Sequence, residues 1–266
     1  MPLATLPRGV CLHYEDDDFT DPWRSPETVV LQHGQAKSAR MWYAWVPLLA
    51  RDDRVIRVDS RGFGQSPLPP PEFEYSMDSL ADDVVDLLDS LKIDRAHVIG
   101  DTVGGAMALT LTYRHPDRVH TVTCCQSTYK LRGVGYYMGY HDFVRHHGVE
   151  AWVRSQHHGH DDQDEWVIRE MSKTPAEAVM RSLRGFADVD LTERLPDIQT
   201  PALVIQGATD EMRLARARTL AELLPNGHLA VIPGTTRATQ TAPDRSVQAW
   251  REFVLQHHLG RSYAQA

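Results

Sequence analysis

The sequence predicts an α/β fold, a mostly parallel sheet with helices on both faces and a small helical insertion. Three observations carry that prediction. Short apolar runs alternate with amphipathic helical patterns, which is how strands joined by crossover helices read. Several of these runs are rich in Val and Ile and almost unbroken in apolarity, as strands covered on both faces are. One long stretch, 130–195, breaks the alternation and contains no convincing strand.

In chain order, Gly9–Glu15 reads as an antiparallel edge strand. Further strands follow at Val29–His33, Arg54–Asp59, Ala96–Gly100, Val119–Cys125, Ala202–Gln206 and His228–Pro233. Pro67–Pro71 is a stiff loop before the first long helix. That helix, Asp78–Leu91, carries Leu80, Val84, Leu87, Leu88 and Leu91 on one stripe. Ala106–Tyr113 is small and apolar, suited to close packing on a sheet, and Leu214–Leu224 and Arg245–Leu255 complete the helices. The stretch 130–195 is rich in His, Asp, Arg and Trp and reads as several short helices. The expected organisation is one core, 1–129 with 196–266, and an insertion at 130–195 between two of its strands.

Composition narrows the function classes. A chain of 266 residues fits one large domain or a core with a modest insertion, at roughly 150 residues per domain. The balance of 28 Lys+Arg against 36 Asp+Glu gives a formal charge of −8, with a sequence pI of about 5.9. Nucleic-acid binders show a basic face instead. No apolar run approaches the ~20 residues that span a bilayer, and Met1–Gly9 has no apolar signal-peptide core. The expected partner is a small-molecule substrate, with no nucleic acid and no membrane, in a cytoplasmic protein that could form a homodimer. The only cysteines are Cys11, Cys124 and Cys125, without a CxxC pair, so neither a disulfide framework nor a zinc site is expected. Cys124 and Cys125 are consecutive on a strand and point to opposite faces.

The sharpest local pattern is Gly100-Asp101-Thr102-Val103-Gly104. It follows an expected strand and opens an expected helix, the context of a nucleophile elbow. So tight a turn needs small neighbours, and it lifts the central side chain above the sheet at a helix N-terminus. The elbow residue here is Thr102, whose extra methyl restricts χ1. Trp42 and Tyr43, in the run Met41–Pro47, are candidates to line a pocket for a flat or aromatic ligand, set against simple core packing. The 14 histidines include His141, His146, His147, His157, His158 and His160 within the insertion. The HHGHDD run at 157–162 reads as a solvated loop, because tandem His rarely share one metal, so no metal is expected, and the alternative for this set is that one of its histidines reaches into the cleft as a base. No G-x-G-x-x-G after a first strand and no Walker motif is present, so no cofactor is implied.

These motifs together resemble the α/β-hydrolase fold superfamily over nearly the whole chain. His33-Gly34-Gln35 is similar to the family's oxyanion turn, Asp59–Ser66 to its D-x-R-G-x-G-x-S signature, and Gly207-Ala208-Thr209-Asp210 to its G-x-x-D. The resemblance implies Asp210 as the triad acid, the backbone N–H groups of Gln35 and Val103 as an oxyanion hole, and a cap at 130–195. It also exposes a departure. The family's loop after the last strand reads P-G-x-G-H, with that His as the general base. Here the loop is Pro233–Pro243, and counting from either end puts Arg237 or Thr236 in the histidine slot. Arginine does not deprotonate at neutral pH and cannot take that proton. Arg237 then suits an anionic substrate or an ion pair with Asp210. Asp101, beside the elbow, reads as a hydrogen-bonding residue. The implied activity is that of an atypical member of the family, hydrolytic or instead a lyase, dehydratase, decarboxylase or isomerase. The alternative is a non-catalytic small-molecule binder.

Overall fold

The computed structural model describes residues 3–131, 136–156 and 162–257. Its strands are β1 (Leu3–Thr5), β2 (Cys11–Asp17), β3 (Thr28–Gln32), β4 (Arg54–Val58), β5 (Ala96–Asp101), β6 (Val119–Cys125), β7 (Ala202–Gly207) and β8 (Gly227–Ile232). The α-helices are α1 (Val46–Leu49), α2 (Met77–Ser90), α3 (Val103–Arg114), α4 (Tyr136–Gln156), α5 (Asp162–Ser172), α6 (Ala176–Phe186), α7 (Glu211–Leu223), α8 (Ala238–Thr241) and α9 (Pro243–His257). The eight strands form one sheet in the order β1-β2-β4-β3-β5-β6-β7-β8. From β4 through β8 all neighbours are parallel, whereas β2 pairs antiparallel with both β1 and β4. The segment expected as an antiparallel edge is thus second from the edge. The true edge is β1, whose three residues are too short to show a period.

Period-2 alternation divides the core between the two faces of the sheet. Val30, Ile56, Val98, Val122, Cys124 and Val204 join one apolar cluster with α2 and α3. Val29, Leu31, Val55, Ile99, Cys125, Leu203 and Ile205 join another, with Trp45 and the α9 residues Trp250 and Phe253. The consecutive cysteines therefore lie in opposite layers. Burial pushes the Cys124 thiol up to about 12 and Cys125 well above its ordinary range, so neither is a thiolate.

Helix α2 starts at Ser76, whose hydroxyl accepts from Ser79 N in a reciprocal capping box, and it buries Leu80, Val84, Leu87 and Leu88. Helix α3 is buried along most of its length, and its small residues let it approach the sheet closely. A Cβ added to Gly104 would lie 2.5 Å from the carbonyl oxygen of His33. Helices α4 to α6 follow β6 and precede β7. They share a small core of Val144, Trp152, Val153, Val167, Ile168, Val179 and Leu183 that closes over Ala36 and Met41. A kink at Gly148, with φ of 83°, bends α4. Among the described residues, no helix is long and apolar enough to cross a membrane.

The chain leaves β3 for β4 on one side, then returns to β5 on the other. That reversal opens a crevice at the C-terminal ends of β3 and β5, where open α/β sheets place their ligands.

Candidate functional site

The crevice is built from the turns after β3 and β5. Thr102 stands between β5 and α3 with φ of 53° and ψ of −117°, a conformation a β-branched residue adopts only under constraint. The constraints are visible. Thr102 N donates to Cys125 O at 2.9 Å, and Gly105 N donates to Thr102 O at 3.0 Å. A Cβ on Gly100 would lie 2.2 Å from Gly104 O, so the glycines of the motif are steric requirements of the turn. A Cβ on Gly34 would lie 1.9 Å from Thr102 Oγ1, which places the hydroxyl directly against the turn after β3. Val103 is the first residue of α3, where helix geometry gives N–H groups no intrahelical acceptor.

The two loop motifs around the crevice are structural. His33 is buried, with Nδ1 donating to Gly34 O at 2.8 Å and Nε2 accepting from Ser60 N at 3.0 Å. Desolvation holds its pKa below the usual histidine value, so it is a neutral staple between the turns. Asp59 is likewise enclosed, accepting from Ala39 N at 2.6 Å, Gln65 N at 2.9 Å and His13 Nδ1 at 2.8 Å. Arg61 forks onto Asp83 at 2.5 and 2.6 Å.

Above the crevice is a cavity of about 440 Å³. Its walls include Gln35, Lys37, Thr102, Gln126, Asp210 and Arg237 from the core, with Trp152 and Asp164 from the inserted helices. A smaller lobe of about 150 Å³ adjoins Thr102 and is walled by Val103, Tyr140, Trp152 and Leu183. Among the described residues that line the two, none is a histidine. On α4, His141 Nδ1 contacts the adjacent Asp142 at 3.2 Å and His146 Nδ1 bonds Asp142 O at 2.7 Å, whereas His157, His158 and His160 lie outside the described residues. No group of three or more His, Cys, Asp or Glu among the described residues has the arrangement to hold a metal.

The charged residues pair differently from the sequence expectation. Asp210 does not reach Arg237. Its Oδ1 caps α7 by accepting from Arg213 N at 3.0 Å, and its Oδ2 pairs with Arg213 Nε at 3.1 Å. Arg237 instead spans the cavity to the buried Asp164 on α5. The guanidinium is therefore already neutralised, which removes the reason to assign it an anionic ligand. Gln163 adds a second tie between insertion and core, donating to Gln240 O at 2.9 Å. Gln35 places its side-chain amide on Ser182 Oγ of α6 at 2.8 Å. Trp42 and Tyr43 lie off the main cavity. Trp42 is buried edge-on against Trp45, and Tyr43 sits half-exposed against Trp166.

One network was absent from the sequence expectation. Lys37 is buried at the cavity wall, and its Nζ donates to Asp101 Oδ2 at 2.5 Å. Asp101 Oδ1 accepts from Thr239 Oγ1 at 2.8 Å, and the Gln126 amide reaches the same hydroxyl at 2.6 Å. Asp101 thus has the hydrogen-bonding character anticipated for it, with a lysine as partner.

A family model described as the alpha/beta hydrolase fold matches residues 27–144. A putative carbamate hydrolase RutD of Yersinia enterocolitica is 31% identical over 221 residues, 77% of this chain and 78% of that protein. The chain belongs to the α/β-hydrolase fold family. Another family member, 3-oxoadipate enol-lactonase 1 of Acinetobacter baylyi, is 25% identical over 85% of this chain and 88% of its own. The crystal structure of the enol-lactonase from Burkholderia xenovorans LB400 superposes with a TM-score of 0.86 over 96% of this chain and 100% of that one, at 24% identity. The eight-stranded, mostly parallel sheet is thus the α/β-hydrolase sheet. The named relatives work on small metabolites, an enol-lactone and a carbamate.

Proposed function

We infer that the protein is a cofactor-independent enzyme that binds a small metabolite by a carbonyl group and transforms it without an acyl-threonine intermediate. In this reading the backbone N–H groups of Gln35 and Val103 hold the carbonyl oxygen, and the Thr102 hydroxyl donates to the substrate. The observation that carries it is the lining of the cavity beside Thr102, which supplies no imidazole from the described residues. A hydroxyl becomes a nucleophile only when a base removes its proton. Asp210 is committed to α7 and Arg213, and Arg237 to Asp164, so neither serves Thr102. An oxyanion site whose described lining supplies no such base suits lyase, dehydratase, decarboxylase or isomerase chemistry. The substrate is uncharged where it meets the core, because Lys37, Arg213 and Arg237 each face a carboxylate of their own. Its apolar end fits the lobe under Tyr140, Trp152 and Leu183. The carbonyl substrates named for the relatives agree with this class, and the insertion acts as the cap.

The test is esterase turnover of p-nitrophenyl acetate together with labelling by a fluorophosphonate. The expected result is turnover no more than marginally above the buffer rate and no adduct on Thr102. Robust turnover with a covalent adduct at Thr102 would overturn the reading.

A further inference from the structure

We propose that Lys37 is an amine nucleophile that forms a Schiff base with a ketone or aldehyde substrate, with Asp101 holding the proton that the amine must shed. The proposal rests on the reading above for its cavity and its carbonyl-binding donors, and it assigns the covalent step to a residue that reading does not use.

The first observation is placement. Lys37 lines the same cavity as Thr102 and Gln35, and its side chain is 9% exposed. Burying an ammonium costs several kcal/mol unless it is paired, so a buried lysine on a cavity wall needs a reason. Its described hydrogen-bond partner is a single carboxylate oxygen, Asp101 Oδ2. The other oxygen of Asp101 is held by Thr239 Oγ1, which fixes the carboxylate with Oδ2 toward the amine.

The second observation is compositional. The chain has four lysines, Lys37, Lys92, Lys130 and Lys173, among its 28 basic residues. The remaining cationic work is done by arginine, including the ion pairs of Arg54 with Asp16, Arg57 with Asp17 and Arg61 with Asp83. Lys92, Lys130 and Lys173 are exposed. The one buried lysine thus stands where a purely structural ion pair would favour Arg, whose planar fork suits carboxylates better. What lysine offers and arginine does not is an amine able to lose a proton and attack carbon.

The chemistry balances with these groups. Away from water, an ammonium–carboxylate pair and its neutral amine–acid tautomer lie closer in energy than in solution. The Lys37 ammonium passes one proton to Asp101 and the free amine attacks the carbonyl carbon. The new C–N bond forms as the C=O π pair moves onto oxygen, which the N–H groups of Gln35 and Val103 receive. Proton transfer within the adduct gives a carbinolamine. Asp101 returns its proton to the departing hydroxyl, water leaves, and the nitrogen lone pair closes a protonated imine with Asp101 as counter-ion. One carbonyl and one ammonium become one iminium and one water. The iminium draws electrons from the adjacent carbon, so Asp101 can take a proton from it to give an enamine, which either regains a proton or expels a leaving group from the next carbon to restore the iminium. Hydrolysis then returns the carbonyl product and the Lys37 ammonium. The substrate class is a small, uncharged ketone or aldehyde with a bond to be broken beside the carbonyl carbon.

The experiment traps the imine. The full chain is incubated with limiting butanone or benzaldehyde and sodium cyanoborohydride near neutral pH, and each lysine is quantified by peptide mass spectrometry. Lys92, Lys130 and Lys173 serve as internal controls. The expected result is alkylation of Lys37 at least tenfold faster than the mean of the three exposed lysines. Lys37→Arg, which keeps a cation opposite Asp101, loses that adduct while the control lysines keep their rates. Labelling that follows exposure, with Lys37 equal to or slower than the controls, overturns the proposal. The trapping is read apart from the esterase test. Absent esterase activity with unlabelled Lys37 removes this inference alone. A fluorophosphonate adduct on Thr102 removes the non-hydrolytic reading, whatever Lys37 does.

Discussion

The two sides of Thr102 are built to different standards. On the inner side, Lys37, Asp101 and Thr239 form a buried, closely bonded network under the turn after β3. On the outer side, where the family carries its acid and base, Asp210 is half-buried and occupied with capping α7, and Arg213 is 53% exposed. Buried polar groups that are fully paired are rigid and costly to disturb, whereas rim charges are screened by water. The contrast teaches that the fold has kept the elbow while its buried fixed charge, Lys37 with Asp101, draws on Thr239 in the segment after β8 and not on Asp210.

Three measurements bear on that contrast. The largest effect is expected from Lys37→Met, which leaves Asp101 buried without its counter-charge. Denaturant unfolding should show a loss of about 3–5 kcal/mol. The double variant Lys37→Met with Asp101→Asn should recover most of it. A loss below about 1 kcal/mol would mean that the inner pair is no tighter than a surface one. Asp210→Ala is next. Losing an N-cap costs about 1 kcal/mol, and reductive alkylation of Lys37 should stay unchanged. A change in that alkylation would join the rim to the inner network. The mildest effect concerns acid. His33 is held neutral in the folded protein, while in the unfolded chain it takes up a proton near its ordinary value of about 6.5. Below that pH the unfolded state binds the extra proton, so stability falls as the solution is acidified and is unaffected above it. Melting temperature followed from pH 7.5 to 5 should decline less steeply in His33→Asn, whose side-chain oxygen can still accept from Ser60 N. Equal slopes would assign the acid sensitivity to other groups.

The features legible in the sequence are those set by neighbours close along the chain. The strands from β3 to β7 announce themselves because they are largely buried on both faces and read as apolar runs, whereas β8, at the sheet edge, is only partly buried and is legible from its apolar residues Leu229–Ile232. The elbow is legible because Gly100 and Gly104 are steric requirements of a turn only a few residues long. The α2 stripe is legible because a helix repeats within itself. The pairing of charges was not. Arg237 meets Asp164, which arrives on a separate helix 73 positions earlier in the chain. Nothing local distinguishes that partner from Asp210. Trp42 looks like a ligand-facing aromatic until the second tryptophan, Trp45, closes over it. Lys37 left a signal that motif reading passes over, its rarity in a chain whose cations are nearly all arginine.

The backbone at Thr102 has a consequence for how such a chain changes over time. A threonine at φ of 53° costs about 1–3 kcal/mol relative to a relaxed backbone, and glycine at that position would release much of it. Selection for durability alone would push residue 102 toward glycine and erase the hydroxyl. The turn therefore sets a standing tension at one codon, where the most comfortable residue for the fold is the one with no chemistry to offer.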